Sequence, residues 1–313
     1  MSGLRNVLRA SGLLPKRLSH SIEVRLKVWA DGGFAGDICD IPRAELDWAS
    51  PKQMISVAAL LAEVGRYTPA VEAVERALNR DPQALKRGCY AGLLAVLGAM
   101  RPDLAVGHRS EVEAAEKFRR AAGTFVRLVR ENAHSIAVVG NSPSELGRRR
   151  GQEIDKRNLV IRFNSFSTDP QYRADVGSRV DVWCRDVNYR NMRRRDGEGF
   201  QVELVPIPIY WRMKNGQDTL VDALLRGAAL EEVPQTLHAE LRERLEAPPS
   251  SGLSILYWLR SILGSLDEVL VAGFSLTDQV DGPTHYSKVP RLRAMPPHDW
   301  TRERVLFDEL VRA

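Results

Sequence analysis

Apolar and polar positions alternate over residues 22–29. Ile22, Val24, Leu26 and Val28 are set against Glu23, Arg25 and Lys27, the period of a half-buried strand. Gly32, Gly33 and Pro42 then punctuate a loop. From about residue 51 to 130 the spacing turns helical. The stretch LAEVGRYTPAVEAVERALNRDP sets Gly65, Tyr67, Ala70, Ala77, Leu78 and Pro82 at the spacing of a tetratricopeptide hairpin. There is one clear copy, and a stable array needs several. The pattern therefore predicts a helical subdomain packed on the rest of the chain rather than a peptide-binding solenoid. Two further helices are expected over residues 83–100 and 111–130.

Beyond residue 130 the pattern changes class. Ile136, Ala137, Val138 and Val139 form a short apolar run broken by Gly140-Asn141-Ser142, as in a buried parallel strand. The break sits where open α/β sheets bind ligands, beyond a strand's carboxyl end. A second strand over residues 159–163 ends in Asn164. Two Asn residues at one end of a sheet suit a polar ligand such as a nucleotide, although from spacing alone loop capping is the slightly better account of both. Residues 180–184 predict another strand. Residues 203–209 predict one that leaves the sheet, because Pro206 and Pro208 interrupt it. Residues 220–246 read as a charged helix. Ser250 or Ser251 then caps an apolar helix over residues 253–263 whose start is a natural anion site. Residues 268–272 form a strand ending at Gly273. The chain closes with His285-Tyr286, His298-Asp299-Trp300, Glu303 and a last helix. The whole reads as a strand-plus-helical region over residues 1–130 and an α/β domain over residues 131–313.

The 313 residues carry a net charge of +5, rich in Arg. That suits an anionic substrate or membrane surface and is too weak to argue for nucleic acid. Cys39, Cys89 and Cys184 are scattered and odd in number, so a reducing compartment is expected rather than a disulfide framework or zinc site. No segment has the apolar length of a membrane span. The start, MSGLRNVLRASGLLPKRLSH, lacks a signal-peptide core. Its Leu4, Val7 and Leu8 against Arg5 and Arg9 fit peripheral contact with an anionic membrane, or equally a frayed terminal helix.

The order strand, glycine turn, helix is that of nucleotide binders. Yet Gly140-Asn141-Ser142-Pro143 is not G-x-G-x-x-G, and a Walker lysine motif is missing. A well-placed D-x-D pair is missing too, so a metal holding a sugar nucleotide diphosphate is not expected. A sugar nucleotide monophosphate needs less neutralisation, which two His residues and a helix start can supply. Imidazoles near the C-terminus suggest acid/base work, while each alone is more often a structural hydrogen-bonder. The spacing gives no zinc set.

Four separated pieces, in the right order and at about the right spacing, resemble the animal-type sialyltransferases, glycosyltransferase family 29. The first comprises VVGNS, GQEID, VIRFN and DVGSRVDVW, and the second is PPSSGLSILYWLRSILGSLDEVLVAGF. The third is His285-Tyr286 and the fourth HDWTRE, His298 to Glu303. The resemblance spans residues 135–313. It implies a Rossmann-like, variant GT-A fold with a mostly parallel sheet flanked by helices. It also implies inverting, metal-independent transfer from a CMP-sugar, with no cofactor. By position, Asn141, Ser142 and Asn164 would hold the nucleotide, and Ser251 and Gly252 the nucleotide or donor carboxylate. His285 would neutralise the departing phosphate with Tyr286 beside it, His298 would be the general base, and Glu303 would support that end of the site.

The departures from the family matter. The animal disulfide positions correspond to Ile136 and Leu266, a paired apolar replacement that suits a reducing cytoplasm. Ser287-Lys288 replace aromatic and acidic residues, so the nucleotide side matches better than the acceptor side. The implied donor is CMP-sialic acid or CMP-Kdo, both activated 2-keto acid sugars. The implied acceptor is a bacterial surface glycan or glycolipid, such as lipopolysaccharide or capsule, met in the cytoplasm or on the inner face of the membrane. Arg148, Arg149 and Arg150, and Arg193, Arg194 and Arg195, are candidates for anionic acceptors or head groups or are solvated loops. Tyr210 and Trp211 stack on the acceptor sugar or fill the core. Prolines between residues 281 and 297 suit a lid. The competing reading is a non-catalytic nucleotide-binding scaffold with a helical partner-binding region.

Overall fold

The computed structural model describes residues 13–30, 39–87, 90–185, 198–208, 218–276 and 298–312. The chain forms two compact units, Met1–Glu116 with Ile209–Val221, and Lys117–Pro208 with Asp222–Ala313.

The first unit is helical among its described residues. The expected strand over residues 22–29 is instead part of the helix Leu13–Ala30. Ile22 and Trp29 are buried and Leu26 partly so, while Val24 and Val28 are 48% and 45% exposed. The spacing i, i+4, i+7 thus makes the buried stripe, and half of the alternation faces water. The hairpin is present as Pro51–Glu63 and Tyr67–Arg80. Ser50 and Gln53 form a reciprocal capping box with Pro51 behind it. Gly65, at φ +77°, makes the turn. Small Ala70, Ala73 and Ala77 pack against Met54, Ile55 and Leu61 in one buried cluster with Leu93, Leu94 and Leu97 of the helix Ala91–Met100. The expected helix over residues 111–130 is two, Arg109–Ala121 and Thr124–Glu131. Gly123, at φ +84°, divides them.

The second unit is built on a six-stranded parallel sheet. Its strands are β1 Ile136–Val139, β2 Leu159–Phe163, β3 Val182–Cys184, β4 Val202–Val205, β5 Leu230–Glu232 and β6 Val269–Ala272. Their order is β5-β4-β3-β2-β1-β6. β1 and β2 are buried at every position, as a strand covered on both faces must be. Alternate residues feed two cores. Ile136, Val138, Leu159 and Ile161 meet Phe125, Leu256 and Trp258. Ala137, Val139 and Val160 meet Ile154, Val176 and Leu270.

Two strand expectations are corrected. β4 does not leave the sheet: it ends at Val205, pairs with β3 and β5, and Pro206 and Pro208 follow it. The expected helix over residues 220–246 is interrupted by β5, between Asp218–Leu225 and Gln235–Leu245. β5 has three residues, two of them Glu, and so carries almost no apolar signal. Its Glu231 is buried because it caps a helix: the carboxylate accepts from the N–H groups of Gly123 (2.9 Å) and Phe125 (2.6 Å). Burial pushes its pKa up, against the pull of those amides.

Cys39 and Cys184 are both buried. Ile136 and Leu266 lie in the same apolar cluster. Among the described residues no helix is long and apolar enough to cross a membrane.

Candidate active site

The chain leaves β1 toward β2 and reaches β6, on the other flank of β1, only after β5. Open parallel sheets hold ligands outside the carboxyl ends of such a pair. Here the two exits are locked together. The Gly140 N–H donates to Ala272 O (2.8 Å), and the Ser142 N–H to Gly273 O (3.0 Å). A Cβ on Gly140 would overlap Gly273 O, and one on Gly273, at φ +71°, would overlap Gly140 O. Gly140→Ala is therefore expected to cost about 1–3 kcal/mol of stability by overpacking. A denaturant midpoint equal to that of the wild type would refute this.

Asn141 is 7% exposed, and its Nδ2 donates to Phe163 O at 2.8 Å. A carbonyl only accepts, so this contact fixes which end of the carboxamide is nitrogen. Oδ1 remains as a buried acceptor without a hydrogen-bond partner, a state proteins seldom leave unexplained. The next residue after Phe163 is Asn164, so the carboxyl ends of β1 and β2 bring the two expected Asn residues together. Asn164 sits at φ +48°, donates its N–H to Cys184 O (2.8 Å) and accepts from Trp183 Nε1 (2.9 Å) through its carbonyl. Ser142 Oγ accepts from Ser144 N–H (3.2 Å) and caps the short turn Pro143–Glu145.

The cap of the helix Ser251–Leu263 is Ser250, whose Oγ accepts from Leu253 N–H (3.3 Å). Ser251 and Gly252 form its first turn, where amides lack intrahelical partners. Glu303 on the helix Trp300–Arg312 is 0% exposed and accepts from Ser250 N–H (2.7 Å) and Ser250 Oγ–H (2.6 Å). Burial raises its pKa above the usual carboxyl range, although the two Ser250 donors oppose the shift. Gly252 has no room for a Cβ because the Phe274 ring lies against it. That ring also meets Phe163 edge-on at 6.0 Å, tying the helix start to the ends of β6 and β2.

His298 completes the chain of contacts. Its Nδ1 lies 2.8 Å from Pro248 O and 3.7 Å from Glu303 Oε1. The carbonyl requires a proton on Nδ1, so in the neutral ring Nε2 carries the lone pair. The side chain is 24% exposed and Trp300 stands beside it with centroids 5.1 Å apart. The structure thus joins Asn141, Ser142, Asn164, Ser251, Gly252, Glu303 and His298 in one run of contacts. His285, Tyr286, Tyr210, Trp211, Arg193, Arg194, Arg195 and the proline-rich segment over residues 281–297 lie outside the described residues. Among the described residues no three His, Cys, Asp or Glu side chains gather to hold a metal ion.

Two participants have no sequence signal. Glu145 is 2% exposed, and its Oε2 accepts from Gly273 N–H at 3.0 Å. Phe274 looks like ordinary core. Conversely, part of the motif-like sequence is scaffolding. Asp155 accepts from the N–H groups of Ser178 and Arg179, each at 2.8 Å. Asp181 accepts from Val160 N–H (2.8 Å). Arg162 is fully buried and donates to Val176 O (2.5 Å) and Arg179 O (2.8 Å).

Residues 107–194 match the model of glycosyltransferase family 29 (sialyltransferase). That stretch begins ahead of residue 135 and includes GNS, GQEID, VIRFN and DVGSRVDVW, while the helix start at Ser250 and His298 fall after it. A comparison with curated proteins gives no match. Among solved structures this chain is similar to a mammalian sialyltransferase at 20% identity, covering 56% of this chain and 64% of that one, with a TM-score of 0.42. It is similar to a mammalian sialyltransferase in complex with Gal-beta-1-3GalNAc-ortho-nitrophenol at 19% identity, covering 56% and 65%, with a TM-score of 0.41. The chain spans just under two thirds of the length of those proteins.

Proposed function

We propose that this chain is an inverting, metal-independent glycosyltransferase that moves a 2-keto acid sugar, sialic acid or Kdo, from its CMP-activated donor to a hydroxyl of a glycan or glycolipid. The observation that carries the reading is the tautomer of His298. Its Nδ1 proton is committed to Pro248 O, and Nε2 is left basic beside the helix start that Phe274 links to Asn141. A single displacement needs little more from the protein. The acceptor oxygen bonds to the anomeric carbon as the bond from that carbon to the CMP phosphate oxygen breaks. The acceptor's proton passes to Nε2, and CMP leaves with the electron pair. The Ser251 and Gly252 amides offer donors to the phosphate or donor carboxylate, and His285 would supply a cation there. The unpartnered Asn141 Oδ1 accepts from a donor on the nucleotide, either the cytosine amino group or a ribose hydroxyl. We infer a cytoplasmic enzyme, whose basic N-terminus would suit peripheral contact with the inner face of the membrane.

Release of CMP is the test, with CMP-sialic acid and CMP-Kdo screened in EDTA against a panel of glycans. Turnover of one donor is expected, and CMP binding without any turnover would favour the scaffold reading instead. Asn141→Ala removes one hydrogen bond to the nucleotide and should weaken CMP binding about tenfold. Unchanged affinity by calorimetry would remove Asn141 from the nucleotide site.

A further inference from the structure

The turn that carries Asn141 runs on into three consecutive arginines, and their carboxylate neighbours are already engaged. Arg150 pairs with Glu153 (3.1 Å) and lies 3.6 Å from Glu145 Oε1. Asp155 is spent on the amides of Ser178 and Arg179. Asp175, whose charge also falls on Arg149, accepts from the backbone amides of Gly147 and Arg149, the latter at 3.0 Å. Arg148 and Arg149 are both exposed, and Asp175 is the carboxylate whose charge acts on Arg149.

The loop that presents them is fixed. Arg148 Nε donates to Ser144 O (2.8 Å), which leaves both Nη groups at the free end of the fork. Arg148 N–H donates to Glu145 O (3.2 Å), and Ile154 N–H to Arg150 O (3.0 Å). Arg149 adopts φ +56°, a left-handed backbone that glycine enters freely and arginine does not. The Asp175 bond holds it there. Non-glycine residues kept in that region concentrate where the side chain is needed. The same turn reaches the site through Glu145, which grips Gly273 N–H.

We infer that Arg148 and Arg149 form a subsite for an acidic group (sulfate, phosphate or carboxylate) carried by the acceptor glycan, so that the acceptor is anionic. This rests on the transferase reading for the word acceptor, and the binding test does not depend on turnover. Two guanidinium forks suit planar or tetrahedral oxyanions, and the Arg148 fork is already oriented by its bond to Ser144 O.

The experiment is a calorimetric titration of the full chain, with CMP present, using N-acetyllactosamine, its 6-sulfate and inorganic sulfate. The sulfated disaccharide is expected to bind about tenfold tighter than the neutral one. That preference should shrink as salt rises and vanish in both Arg148→Gln and Arg149→Gly. Arg149→Gly relieves the left-handed strain, so it should melt no lower than the wild type and its loss of binding cannot be ascribed to unfolding. Equal binding of the two disaccharides, a preference that survives both substitutions, or inorganic sulfate binding as tightly as the sulfated sugar would each overturn the inference. A chain that keeps the sulfate preference yet releases no CMP from either donor would sink the transferase reading instead.

Discussion

His298→Ala is expected to lower kcat for transfer by about 10²- to 10⁴-fold, the usual contribution of a positioned general base, while CMP affinity stays within about twofold. The split follows from where the ring sits. Its Nδ1 contact goes to Pro248 O, outside the helix Ser251–Leu263 whose first-turn amides are the proposed phosphate donors. Removing the imidazole therefore deletes a proton acceptor and leaves the nucleotide donors standing. Loss of the Pro248 contact is a rival cause of low activity, and His298→Asn separates the two. An Asn carboxamide can still donate to Pro248 O but offers no basic nitrogen to an alcohol. Both variants should be equally slow in steady-state transfer. An Asn variant with wild-type kcat would reject His298 as the base.

Glu303→Gln should destabilise the second unit by about 1–3 kcal/mol at neutral pH, measured by denaturant titration. The carboxylate uses one oxygen for Ser250 N–H and the other for Ser250 Oγ–H. Gln has a single acceptor oxygen, so one buried donor loses its partner and meets an amide N–H₂. The pH dependence has a definite sign. Burial raises the folded pKa of Glu303 above its unfolded value. As pH rises from below the unfolded value, the unfolded chain releases its proton first and gains relative to the fold. Glu303 thus withdraws stability as pH climbs to the folded pKa and restores it on acidification. Gln does not titrate. The gap between wild type and Glu303→Gln should therefore widen as pH falls from neutrality toward the usual carboxyl range, and a gap that narrows would contradict a burial-dominated shift. The donor KM should also rise, because Ser250 sets the helix start.

The parallel sheet was legible because its strands are continuous apolar runs ended by turn residues, as at Val139-Gly140 and Ala272-Gly273. The helical hairpin was legible through Gly65 and the small residues at Ala70 and Ala77. The failures have physical causes. Residues 22–29 meet the strand period as well as the helix period, and only the burial of Ile22 with Trp29 decides between them. β5 forms because Leu230 fills the core and Glu231 caps the helix Thr124–Glu131, a contact between residues 106 positions apart. No local pattern encodes that. The cap at Ser250 was among the alternatives read from the chain. Its bond to Glu303, like the grip of Glu145 on Gly273, depends on distant partners and was not. The geometry adds to the Asn141 assignment the direction of its hydrogen bond: its oxygen is the end left open.

The stretch that matches the family 29 model ends before the imidazole, and several of its polar residues spend their hydrogen bonds on neighbouring backbone. It behaves as a keel. A likeness confined to that stretch therefore covers loop support together with Asn141 and Asn164, and leaves the helix start at Ser250 and the ring of His298 outside it.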